Sequence, residues 1–196
     1  MEKHTIFLSY RRQDIPGYVG RLADHLEITF GEPVFRDVDS IDAGTDWKSV
    51  LNQAVSDAKL ILAVIGERWQ EVLADKAGSE VDYVRFELNL ARLLDKPVIP
   101  IVLQGAAFDT NMDMGDLNWL KELQFFELSD RQNRWESDME HLEKQITALS
   151  GLCLITQQDR ITQSSSKVTE QTSHGDQSPN VVAGKDVSIS FGDKPR

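Results

Sequence analysis

Six apolar residues in an unbroken run, Leu60-Ile61-Leu62-Ala63-Val64-Ile65, constrain the fold of this chain more than any other segment. A half-buried strand alternates apolar and polar residues. One without alternation has to be covered on both faces, as in a parallel sheet with helices on either side. The run is far too short to cross a bilayer. Its flanks fit the same plan. Thr5 to Leu8 and Pro33 to Phe35 read as short strands. Tyr18 to Phe30 carries Val19, Leu22, Ala23, Leu26 and Phe30 at helical spacing, and Trp47 to Ala58 does so through Val50, Leu51, Ala54, Val55 and Ala58. Ser79, with Asp82 three residues on and Glu80 in the first turn, predicts the start of a helix running to about Leu94. Pro97 to Val102 is a further apolar strand, whose prolines predict a place near the sheet edge or at strand ends. The stretch after Val102, with Gly105, Asn111, Asp113, Gly115 and Asp116, reads as irregular surface. Gln124 to Leu128 is a short last strand and Trp135 to Leu149 a closing helix through Met139, Leu142 and Ile146. Regular alternation of strand and helix predicts an α/β, flavodoxin-like open parallel sheet of about five strands with helices on both faces.

This domain spans residues 1–150. Residues 151–179, rich in Gln, Ser, Thr and charge, read as a flexible polar linker. Residues 180–196 contain Val187, Ile189 and Phe191 in alternation after a Gly184-Lys185-Asp186 turn, the pattern of a small hairpin. A lone hairpin is marginal in water, so this tail calls for a partner: the core domain, another copy or an unidentified protein. A disordered tail is the other reading.

Charge excludes some functions. The net charge of −11 lies wholly in residues 1–150, because the last 46 residues hold five basic and five acidic side chains. An acidic domain repels polyanions, which argues against nucleic acid or an anionic membrane as the main partner, though not against a small phosphorylated ligand held by a local arginine cluster. The start, Met1 to His4 followed by a strand, lacks the order of a signal peptide, so a soluble cytoplasmic protein is expected. Cys153 is the only cysteine, and His4, His25, His141 and His174 have no metal-ligand spacing, so no metal or other cofactor is expected. No Walker-type loop occurs. The aspartate that a receiver domain needs after the third strand is replaced by Ile65-Gly66.

Two places carry candidate chemistry. The first strand runs into Ser9-Tyr10-Arg11-Arg12-Gln13-Asp14, and ligands of open α/β sheets bind outside the carboxyl ends of strands. Adjacent arginines beside a tyrosine there fit a phosphate and a flat ring, or an ordinary solvated turn. In Asp82-Tyr83-Val84-Arg85-Phe86-Glu87-Leu88, Tyr83 and Glu87 lie four apart on one helix face, beside an apolar stripe of Val84, Leu88 and Ala91. Glu87 is thereby expected near the boundary of a buried face, or as a surface partner of Arg85 or Arg92. Burial against the sheet is the reading of Trp47 and Trp69.

Taken together, the segments Phe7 to Arg12, Val34 to Asp37 with the loop Ile41-Asp42-Ala43-Gly44, Val64-Ile65-Gly66, Asp82 to Leu88 and Pro97 to Ile101 resemble the Toll/interleukin receptor (TIR) domain family, in that family's order and over residues 1 to about 150. The pattern is most similar to bacterial stand-alone TIR proteins and NAD-cleaving members. That resemblance implies an NAD glycohydrolase or cyclase in which Glu87 is catalytic and Tyr83 stands where Trp is common. It implies Ser9, Tyr10 and Arg11 on the pocket floor, Phe35 against the nicotinamide or ribose, and the loop Arg36–Gly44 as lid and assembly element. It also implies homo-oligomers through TIR–TIR contacts and a role in bacterial defence or toxicity. The alternative within the family is a non-enzymatic interaction module, in signalling or in interference with host TIR adaptors.

Overall fold

The computed structural model describes residues 5–155, except 13, 37–43, 45, 77–81 and 130. Five strands, β1 (Ile6–Tyr10), β2 (Val34–Phe35), β3 (Leu60–Ile65), β4 (Val98–Leu103) and β5 (Phe126–Leu128), form one parallel sheet in the order β2-β1-β3-β4-β5. The predicted linker and hairpin lie outside the described residues beyond Ile155, as does the lid loop between Arg36 and Gly44. No helix among the described residues is long and apolar enough to cross a membrane.

β3 explains the layering. All six of its side chains are fully buried. Leu60, Leu62 and Val64 pack with α1 (Pro16–Phe30) and α5 (Gln132–Ser150). Ile61, Ala63 and Ile65 pack with α2 (Trp47–Asp57), α3 (Trp69–Asp75) and α4 (Tyr83–Leu93). The helices end where their chemistry says they should. α1 begins at Pro16, whose missing N–H costs nothing in a first turn, and stops at Gly31 with φ 65°. α5 stops at Gly151 with φ 69°.

Two expectations need correction and a third is refined. The cap of α4 is Asp82 and not Ser79: the Asp82 carboxylate accepts from the Arg85 N–H at 3.3 Å, and residue 79 lies outside the described residues. The stretch after Val102 is not wholly irregular, because Gly115–Glu122 forms a 3-10 helix that buries Leu117 and Leu120 against the α4 side of the sheet. Finally, β4 lies next to the edge strand rather than at the edge itself, and Pro97 directly precedes it while Pro100 falls within it. β5 pairs only with Ile101 to Leu103, so the missing Pro100 N–H falls where β4 has no β5 residue to meet.

After β3 the chain makes a close approach that requires glycine. A Cβ on Gly66 would lie 2.4 Å from Asp14 Oδ2 and 2.8 Å from Ile15 Cγ2. Asp14 is not free to retreat, since its Oδ1 accepts from the Arg68 N–H at 3.1 Å. Gly66→Ala is therefore expected to cost about 1–3 kcal/mol, read as a lower urea midpoint. An unchanged midpoint would mean that the Asp14 turn relaxes without loss.

Candidate active site

The site begins with the alternation of β1. Phe7 and Ser9 point to the α4 face, Leu8 and Tyr10 to the other. Ser9 is wholly buried, and its hydroxyl donates to Glu87 Oε2 at 2.6 Å. Glu87 comes from α4, which docks on the sheet through Val84, Leu88 and Ala91. The helical turn carries Glu87 inward with them, leaving it 5% exposed. The surface pairing considered for this residue is not what its neighbours do. Arg85 pairs with Asp116 and lies 4.0 Å from Asp82, and Arg92 stands over the Trp119 ring.

Above Glu87 a cleft of about 300 Å³ opens at the carboxyl ends of β1 and β2. Tyr10, Arg11 and Arg12 line it from the end of β1, Phe35 and Arg36 from β2, and Tyr83 and Glu87 from α4. Five of the six sequence-named residues thus share one cavity, and the sixth, Ser9, lies beneath it holding Glu87. Phe35 stacks on Phe7, rings 4.9 Å apart and nearly parallel. Tyr83 is 39% exposed, with the Trp47 ring edge-on at 4.7 Å. Trp47 is half-buried, packed against the core cluster on the α4 side with its ring edge-on to Tyr83 and Phe86, whereas Trp69 is fully buried as expected.

Arg11 holds a different position from the one its sequence neighbourhood suggests. Its guanidinium forms a fork with Asp82, 3.1 Å from Nη1 to Oδ1 and 2.8 Å from Nη2 to Oδ2. Its Nε donates to the Trp69 carbonyl at 3.2 Å, and the group lies 5.4 Å from the Trp69 ring centre. Both charged side chains are about one-twentieth exposed. A phosphate reaching for this arginine would have to compete with a buried carboxylate.

The remaining cations of the cleft are Arg12, Arg36 and Lys76, with Val72 beside Lys76 adding apolar wall. Arg36 also meets Asp24 at 3.1 Å on the surface. Lys76 and Val72 escaped the sequence reading because α3 did. Trp69, Leu73 and Lys76 recur at i, i+4 and i+7, and that face was the available signal. Among the described residues no group of three or more His, Cys, Asp or Glu side chains converges as a metal site.

The sequence model of the TIR domain matches residues 6–143. The TIR domains of the activated Roq1 resistosome, which directly recognizes the pathogen effector XopQ, have the same fold at 16% identity and TM-score 0.55 over 73% of this chain and 99% of theirs. The TIR domain of the Toll-related receptor TRR-2 from Hydra magnipapillata is similar at 12% identity and TM-score 0.52, over 74% of this chain and 98% of that one. At such identities the likeness concerns the fold alone. No curated protein sequence matches the chain. A family match over more than two-thirds of the chain, on the fold and strand order described above, makes this protein a member of the TIR domain family.

Proposed function

We propose that this protein cleaves NAD at the bond between nicotinamide and ribose, with Glu87 as the catalytic carboxylate. The observation that carries this reading is the buried Glu87 carboxylate of the cleft, held by Ser9 beside an exposed aromatic ring, Tyr83, while the cleft's other buried carboxylate, Asp82, is taken up by the fork with Arg11. Nicotinamide leaves as a neutral molecule, taking the electron pair of the broken bond, so no general acid is needed. What requires stabilisation is an oxocarbenium-like ribose, and one carboxylate near it suffices. Glycosidases need two because their leaving group is an alkoxide. Water adding to the ribose carbon and losing a proton gives ADP-ribose; a nitrogen of the adenine doing so gives a cyclic product.

The size and charge of the cleft are compatible. At about 300 Å³ it lies at the lower end of small-molecule sites, room for the nucleoside half of a dinucleotide. Tyr83 and Phe35 offer aromatic surface, and Arg12, Arg36 and Lys76 supply positive charge for phosphates in an otherwise acidic chain. We further propose that activity depends on self-association. The similar Roq1 structure is of TIR domains within an activated resistosome, and here the cleft is lined by Phe35 and Arg36 at the edge of the sheet.

Purified full-length protein incubated with NAD is expected to release nicotinamide, detected by product chromatography. Glu87→Gln should remove turnover by roughly 10³-fold or more without lowering the thermal midpoint, because a buried carboxylate serves chemistry rather than folding. Equal turnover in Glu87→Ala would sink the assignment, and no turnover at any protein concentration would favour the interaction module. Ser9→Ala should cost about 1–3 kcal/mol of stability through the lost hydrogen bond to the carboxylate, measured by urea unfolding, and should lower kcat as well. Specific activity is expected to rise steeply with protein concentration; a flat dilution series would rule out control by self-association.

A further inference from the structure

We propose that the Arg11–Asp82 ion pair is a positioning device that sets the depth and rotation of α4, and hence the place of Glu87, rather than part of the phosphate-binding surface. The proposal rests on the reading of Glu87 as the catalytic group.

Besides the apolar packing they share, two buried polar contacts tie α4 and its cap to the end of β1. Ser9 holds Glu87, and Arg11, two residues further along the chain, holds Asp82, five residues earlier on the helix. Two residues of strand advance about 6.6 Å and five residues of helix about 7.5 Å. The two contacts are therefore nearly matched rungs between a strand and the helix running back along it. With one rung, only the apolar packing of Val84, Leu88 and Ala91 and the surface pairs of Arg85 and Asn89 with Asp116 would resist rotation about the Ser9 contact. Two rungs fix both its axial position and its rotation, and rotation decides whether the Glu87 carboxylate faces the cleft.

The clamp is built at the point of greatest leverage. Asp82 is also the N-cap of α4, accepting from the Arg85 N–H at 3.3 Å, so Arg11 grips the first turn of the helix itself. The Trp69 carbonyl holds Nε and the buried Trp69 ring lies against the guanidinium, which fixes the fork in place. A planar fork with this many fixed partners has a set orientation that a lysine ammonium cannot reproduce.

The test uses the full chain in two variants. Arg11→Lys keeps the charge and loses the fork. The double variant Arg11→Met with Asp82→Ser removes both buried charges together and retains a capping hydroxyl, so the fold is preserved. Both are expected to unfold cooperatively, with kcat lowered roughly 10²-fold and KM for NAD within about twofold of wild type, the signature of misplacement rather than lost binding. Hydrogen–deuterium exchange should quicken in peptides covering residues 83–90 and stay unchanged in those covering α5. A KM raised about tenfold at unchanged kcat would make Arg11 a substrate contact and overturn the proposal. Wild-type kcat in a folded variant, or unchanged exchange across α4, would overturn it equally. Should the double variant fail to fold, Arg11→Lys carries the same measurements. If the wild-type protein does not cleave NAD, the functional reading fails while the exchange measurement still decides the clamp.

Discussion

Complete burial of β3 is the constraint on which the rest of this molecule depends. None of its six side chains reaches water, so a layer of helices has to cover each face, and neither layer can be dispensed with. The layer of α2, α3 and α4 rests on Ile61, Ala63 and Ile65, and it carries Tyr83 and Glu87 to the carboxyl ends of β1 and β2. Because β2 stops after Phe35, the sheet ends beside β1 and the cleft opens there. The position of the site thus follows from the sheet before any catalytic chemistry is considered.

A carboxylate with so little exposure is unfavourable for folding unless polar groups meet it. The Ser9 hydroxyl meets this one from the neighbouring strand, where apolar Phe7 and the three inward residues of β3 would otherwise set the pattern. Two buried polar links therefore stand beside the hydrophobic packing of β1 and α4: the Ser9–Glu87 hydrogen bond and the Arg11–Asp82 ion pair. Ion pairs of this kind contribute little to stability compared with well-packed apolar residues, but they define geometry. A domain concerned only with folding would gain from losing both.

The parts of the fold legible in sequence were those with strong periodicity. Leu60 to Ile65, the amphipathic segments that became α1, α2 and α5, and the succession of strands and helices along the chain follow from spacing. The burial of Glu87 was one of two readings that its place beside an apolar stripe allowed, and its role came only from the family resemblance. What escaped depends on partners distant in sequence. Ser79 and Asp82 are both chemically good caps, and only the arrival of Arg11 and the helix start at Tyr83 distinguishes them. α3 is seven residues long, too short for a clear period. Pro100 reads as an edge residue, correctly in local terms, since β4 lacks its β5 neighbour at that point. Two adjacent arginines look alike in sequence, yet Arg11 is committed to a buried carboxylate while Arg12 lines the cleft.

The two outer strands of the sheet are very short, two residues in β2 and three in β5. An edge of that length presents few open backbone groups, so an incoming strand would gain only one or two hydrogen bonds along it. Growth of the sheet from one copy into the next is therefore disfavoured by geometry. At the margins of this sheet, contacts with another copy would fall to helix faces and loops, whose side-chain interactions form and dissolve readily, whereas continuous β-structure tends to be permanent. A domain with such blunt margins is suited to assemblies that can be taken apart again.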